Sequence, residues 1–253
     1  MSGIELTRVL SKVKNRDLPR EERLRAILSI SGFEPAVLEP NIKMVLLSLT
    51  ELAKRIEAGE MGEIEFFGVL LMQIAKLSTI LHKHAKKIFE VVKLIIRNFP
   101  KTLSDFGKMS LLVALRYFFS VEYGLVFDED VERILKDALK GKKAEMRSYA
   151  LETLFIALRN VPWTINEYLD VIKIIIKDPN DPLYGKFFRS LSIVARKNFY
   201  AVRPIVNALL ERYEDPLLMP EDALYFLANL TVPIREKDYL RNIGAILEKV
   251  IVR

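Results

Sequence analysis

His82 and His84 are the only histidines in the chain. Two imidazoles chelate one ion when they share a helix face, as at i and i+4. At i and i+2 they point about 200° apart on a helix, so the spacing predicts two solvated side chains in a basic stretch with Lys83, Lys86 and Lys87. The acidic run Asp128, Glu129, Asp130 and Glu132 offers hard oxygen ligands, but it lacks the spacing and central glycine of a calcium loop. A helix start explains it better, with Asp128 as the cap and Asp130 in the first turn. No metal and no cofactor is therefore expected. Cysteine is absent, which removes thiolate chemistry and disulfides. No G-x-S-x-G elbow is present. Gly107-Lys108-Met109-Ser110 has the look of the end of a phosphate loop, but Thr102 stands where a glycine is required and Met109 follows the lysine. The expectation is a protein that is not an enzyme.

One charged feature does recur. Gln73-Ile74-Ala75-Lys76, Val113-Ala114-Leu115-Arg116, Ile156-Ala157-Leu158-Arg159 and Ile193-Val194-Ala195-Arg196 each end on a cation after an apolar step. The cations lie 40, 43 and 37 residues apart. Such a series attracts an extended anion: an acidic peptide or a nucleic-acid backbone read without base specificity. Two plainer roles compete. A cation near a helix C-terminus complements the helix dipole by about 0.3–1 kcal/mol, which suits Arg159 and Arg196 better than Lys76 and Arg116. Ion pairs between helices are the other.

The elements that position these residues follow from apolar periodicity. Val202, Ile205, Val206, Leu209 and Leu210 form one stripe on a helix. The same template begins at Leu6, Ile42, Ala85, Val131, Ile165 and Leu240, at intervals of 34 to 46 residues. A period near 40 is the length of a two-helix repeat. Second helices are expected over 20–31, 63–79, 104–121, 144–160, 184–198 and 220–231. Breakers separate the segments, among them Gly59 and Gly62, Pro100, Pro162, Asp178-Pro179, Asp181-Pro182 and Asp215-Pro216. The last helix, 236–252, carries Arg235, Glu236, Lys237, Arg241 and Glu248 on a polar face that suits an end cap. No alternating strand pattern persists. A single all-α domain over 1–253 is expected, of about six helix pairs plus a C-terminal capping helix.

Glu145-Met146-Arg147 followed by Ala150 resembles the acidic-x-Arg-x-x-Ala opening of second helices in the HEAT repeat family, and the early Pro204 is similar to the proline of that family's first helices. Leu111–Arg116 and Leu154–Arg159 also resemble each other. The resemblance covers most of the chain and rests on loose motifs, so an armadillo-like repeat is the neighbouring possibility. It implies a right-handed α-α superhelix, a solenoid whose second helices line the concave surface, with Lys76, Arg116, Arg159 and Arg196 on that surface. It implies a binding scaffold, most readily for a protein partner, with self-association as a further option. The alternative is nucleic-acid binding, since HEAT-like folds include glycosylases that act on alkylated DNA with aromatic residues and a carboxylate in a basic groove. Trp163, the only tryptophan, follows Pro162 in a turn. It is either a stacking platform or interface anchor or, the expected role, packing between adjacent repeats.

Composition agrees. Hydrophobic residues make up 51% and charged residues 28% of the 253, which fits a folded chain and not a disordered one. The net charge of +6 permits an anionic partner. No apolar run is long enough to span a bilayer. The longest, Phe66 to Ala75, sits between Glu65 and Lys76. The N-terminus lacks the apolar stretch of a signal peptide, so a cytoplasmic protein is expected. Scarce glutamine (Gln73 alone), no cysteine and abundant Lys, Arg and Glu point to a thermophilic source.

Overall fold

The computed structural model describes residues 2–64, 66–96, 105–233 and 236–251. Among them the regular structure is helical throughout, with no strand. The long helices are α1 (Gly3–Lys14), α2 (Arg20–Ser29), α3 (Ile42–Glu57), α4 (Phe67–Ile80), α5 (Ala85–Ile96), α6 (Asp105–Val121) and α7 (Glu129–Lys140). They continue as α8 (Ala144–Leu158), α9 (Leu169–Lys177), α10 (Tyr184–Lys197), α11 (Phe199–Arg212), α12 (Glu221–Ala228) and α13 (Lys237–Ile251). Each expected segment thus carries a helix, usually to within two or three residues. Glu65, Pro100, Thr102 and Arg235 lie outside the described residues. Among the described residues no helix is long and apolar enough to cross a membrane.

Local chemistry sets the ends. Ser2 and Glu5 form a reciprocal capping box at the start of α1. The end of α3 is closed by Gly59 at φ +75°, the left-handed conformation that glycine adopts without strain. There the Glu60 amide donates to the Arg55 carbonyl at 3.1 Å and the Gly59 amide to Ile56 at 3.0 Å. Asp128 caps α7 as expected, its carboxylate accepting from the amides of Asp130 and Val131 at 3.1 and 3.4 Å. Two expected helices are interrupted. The segment 63–79 splits into a short turn, Met61–Ile64, and α4. The helix expected from Ile165 begins as a 3-10 turn, Pro162–Tyr168, before α9. Val161 leaves the helical region there (φ −128°, ψ 67°), as a residue before proline is pushed to do.

The chain divides into two compact units, Met1–Ile134 and Leu135–Arg253. In the first, α1 packs on α3 and α3 on α5, while α2 packs on α4 and α4 on α6. Apolar stripes meet between these layers, with Leu6, Leu49, Leu70, Ile74, Leu111 and Leu115 fully buried. Phe89 of α5 meets Phe118 of α6 edge to face at 5.2 Å. In the second unit α8 packs on α10, α10 on α12, and α9 on α11. An aromatic chain joins its second helices: Phe155 of α8 to Phe187 at 6.0 Å, Phe187 to Phe188 at 5.1 Å, and Phe188 to Phe226 of α12 at 5.5 Å. Edge contacts of this kind add about 0.5–1.5 kcal/mol each beyond the area they bury. Beside that chain, burial and a 3.5 Å contact with the Tyr213 hydroxyl push the Tyr184 phenol far above its ordinary pKa.

Candidate partner-binding face

The packing of the second helices decides where the recurring cations point. In each of the four segments the two residues before the cation are buried: Ile74-Ala75, Ala114-Leu115, Ala157-Leu158 and Val194-Ala195. At 100° per residue the cation is then turned out of the core. Lys76, Arg159 and Arg196 are exposed, and Arg116 is half-buried. The first unit holds Lys76 on α4 and Arg116 on α6, two helices packed together. The second holds Arg196 on α10 and Arg159 at the C-cap of α8, likewise packed.

Among the described residues no carboxylate pairs with Lys76, Arg159 or Arg196, although many other lysines and arginines contact a carboxylate within 4.0 Å, among them Arg16, Arg23, Lys93, Lys140 and Lys186. Interhelical ion pairing is therefore not what occupies these three. Helix-end capping does operate, through the neighbouring lysine. Lys197, not Arg196, reaches across from α10 and donates to the Arg159 carbonyl at 2.5 Å.

Other cations are consumed by the stacking of helices. Arg23 of α2 is 6% exposed and places one guanidinium nitrogen 2.8 and 2.6 Å from the two oxygens of Glu63, itself 4% exposed. Its charge also lies over the Phe66 ring at 4.6 Å. In the second unit Arg147 of α8 pairs with Asp181 and donates to the Leu139 carbonyl at 3.1 Å. Both arginines are the fourth residue of their helix, and both reach an acid in the turn ahead of the next second helix. The opening around Arg147 has a counterpart: Glu21, Arg23 and Ala26 repeat the spacing of Glu145, Arg147 and Ala150. That match was the available signal for Arg23. Lys93 holds Asp128 at 2.6 Å, and this hydrogen bond raises the Lys93 pKa.

The remaining candidates resolve into structure. His82 and His84 lie in a 3-10 turn, His84 3.8 Å from Glu39. No group of three metal-ligating side chains is found among the described residues. Gly107 through Ser110 sit inside α6, where backbone amides serve the helix and no loop forms to cradle phosphate. Trp163 departs from expectation. It is not buried but stands 55% exposed on the turn Pro162–Tyr168.

Comparison with known proteins defines a class by fold alone. The chain is similar to the crystal structure of an engineered protein from the Northeast Structural Genomics Consortium, at TM-score 0.61 and 13% identity, covering 96% of this chain and 97% of that one. It is similar to a second, longer engineered protein from the same consortium at TM-score 0.60 and 15% identity, covering 88% of this chain and 57% of that one. No protein-family model and no curated protein matches the sequence.

Proposed function

We propose that this chain is a HEAT-like binding scaffold, not an enzyme, that holds an extended anionic partner, an acidic protein segment or another polyanion. In this reading the long helices form six pairs of one solenoid repeat, α1/α2 to α11/α12, closed by α13. Lys76, Arg116, Arg159 and Arg196 mark the partner-facing side of the second helices, and the protein works in the cytoplasm. The observation that carries the reading is the exposure of Lys76, Arg159 and Arg196 at one repeated position without a carboxylate partner among the described residues. Unpaired cations at recurring positions add little to stability, since even paired surface charges contribute about 0–1 kcal/mol. They do create a field that steers an anion. Stacking of second helix on second helix within each unit supports the same reading, because it brings successive cation-bearing segments together.

A labelled twenty-residue polyglutamate peptide, titrated by fluorescence anisotropy at low salt, tests it. Binding should weaken with added salt and fall at least tenfold in Arg159→Glu/Arg196→Glu or in Lys76→Glu/Arg116→Glu. No binding of this peptide, or of an oligonucleotide of equal charge, would overturn the reading. Exposed Trp163 favours a second reading within it, in which the polyanion is a nucleic acid.

A further inference from the structure

Two five-residue segments of the second unit share one order: a cation, a helix break and an aromatic ring. Arg159-Asn160-Val161-Pro162-Trp163 and Arg196-Lys197-Asn198-Phe199-Tyr200 lie 37 residues apart. Each starts on a cation at the end of a second helix: Arg159 at the C-cap of α8 and Arg196 in the last turn of α10. Each is then broken at its third position, by Asn160 and Val161 (φ −128°, ψ 67°) in the first and by Asn198 alone (φ −154°, ψ 99°) in the second. Each ends with an aromatic ring at the second position of the next helical element. Trp163 is 55% exposed and Tyr200 37% exposed. The two segments are clasped by the Lys197 ammonium on the Arg159 carbonyl at 2.5 Å, and the turn bearing Trp163 packs against α11, the helix that starts at Phe199. Phe199 and Tyr200 meet edge to face at 5.6 Å, which holds the tyrosine ring beside a buried neighbour.

The edge so formed carries three cations, Arg159, Arg196 and Lys197, with no carboxylate partner among the described residues, and two exposed aromatic rings. One exposed acid, Glu167, shares the Trp163 turn. Cations alone would serve any polyanion. Rings four residues after a cation, twice, have no use for an acidic peptide. They suit a ligand that alternates charge with flat apolar faces. A guanidinium matches phosphate with paired donors, and an exposed ring stacks a base whatever its identity. A duplex hides its base faces; a single strand offers them.

We infer that the edge built by Arg159–Trp163 and Arg196–Tyr200 binds single-stranded nucleic acid, with phosphates on Arg159, Arg196 and Lys197 and bases stacked on Trp163 and Tyr200. This rests on the anionic-partner reading and narrows it to one class of partner and one unit.

The full chain reports on this directly, because Trp163 is its only tryptophan. A mixed-sequence twenty-nucleotide single strand, as DNA and as RNA, should quench the tryptophan emission saturably. The duplex of the same DNA and a polyglutamate peptide should not. By anisotropy, Trp163→Ala should weaken single-strand binding about tenfold, Trp163→Phe should recover most of it, and Arg159→Gln/Arg196→Gln should weaken it at least as much. The slope of log affinity against log salt should be about −2 for three phosphate contacts. Circular dichroism checks that the variants keep their helices. Single-strand binding without quenching, indifferent to Trp163→Ala, would overturn the inference and leave the anionic-partner reading standing. So would polyglutamate binding as tight as that of the oligonucleotide. Failure of both probes would remove both.

Discussion

The buried pair Arg23–Glu63 allows a sharp prediction about stability. Their side chains are 7% and 5% exposed, so both charges have left water. The attraction at 2.6 Å between them offsets that loss only while both are present. Removing one partner strands the other, which costs about 3–5 kcal/mol in buried sites. The two single variants should not be equal. Arg55 lies 3.9 Å from the Glu63 oxygen that Arg23 contacts at 2.8 Å and is itself shared with Glu51 at 2.5 Å. In Arg23→Met, Glu63 keeps Arg55 as a weaker partner, so the cost should fall near the low end, about 3 kcal/mol. In Glu63→Leu, Arg23 keeps only the Phe66 face, worth about 1–2 kcal/mol, and its cost should reach about 4–5 kcal/mol. The double variant Arg23→Met/Glu63→Leu removes both charges and fills the space with apolar atoms. It should return to within about 1–2 kcal/mol of the parent.

Urea unfolding followed by circular dichroism measures this. Tryptophan emission does not, since Trp163 belongs to the other unit. A constant denaturant slope would show that only stability has changed. Additive losses in the double variant would refute the reasoning, because two independent contacts would then explain the data. A cost below about 1 kcal/mol for Glu63→Leu would refute it too, since that is the range of exposed pairs.

Four further outcomes are expected. Gly59→Ala should destabilise by about 1–2 kcal/mol in the same assay, because φ +75° strains any residue with a Cβ. Asp128→Ala should cost about 1–2 kcal/mol by removing the α7 cap and the Lys93 partner, whereas Asp128→Asn should keep the cap and lose only a few tenths. Asp181→Ala should destabilise the second unit, read by tryptophan emission, more than Asp181→Asn, which still accepts from the Leu183 amide. Asp170 has its pKa lowered by a hydrogen bond from Lys140 at 2.8 Å. The folded state therefore binds this proton later than the unfolded state, so the pair contributes above about pH 4 and is lost as pH falls below it. Both groups are about half exposed, so Asp170→Asn should flatten the acid limb of the stability curve by only a few tenths of a kcal/mol.

The helices were legible because their stabilising face is written at a fixed period. Val202, Ile205, Val206 and Leu209 had to be buried together, and they are. The start of the helix expected at Ile165 was not, although Ile165 and Tyr168 are fully buried. A 3-10 turn and an α-helix can bury the same side chains, and the choice there followed the backbone at Val161 and Pro162. The exposed position of Lys76, Arg159 and Arg196 was legible from the apolar step before each of them. That no carboxylate among the described residues pairs with these three was not, because a pair such as Arg23–Glu63 spans 40 residues and leaves no local trace. The opening Glu21-x-Arg23-x-x-Ala26 could have pointed to Arg23, but not to its partner. Trp163 was misjudged for a related reason: a Pro-Trp turn fixes where the residue stands and leaves its ring free to face the core or the solvent.

The division of the cations follows from where a charge sits on a second helix. At the fourth position of α2 and α8 the side chain meets the turn ahead of α4 and α10, where Glu63 and Asp181 are buried and paired. At the far end no carboxylate among the described residues pairs with Arg159 or Arg196. Lys197 of α10 takes the Arg159 carbonyl at the end of α8, and the rings of Trp163 and Tyr200 follow in the chain. The first kind of cation answers to stability and should tolerate joint replacement with its acid. Arg159 and Arg196, the second kind, have no carboxylate partner among the described residues. Replacing Arg159 and Arg196 by Gln should leave the unfolding midpoint within the half-kilocalorie scatter of about ±0.5 kcal/mol typical of surface changes, while removing binding. A loss of stability well beyond that would assign these arginines to the fold and take the partner-binding face away from the second unit.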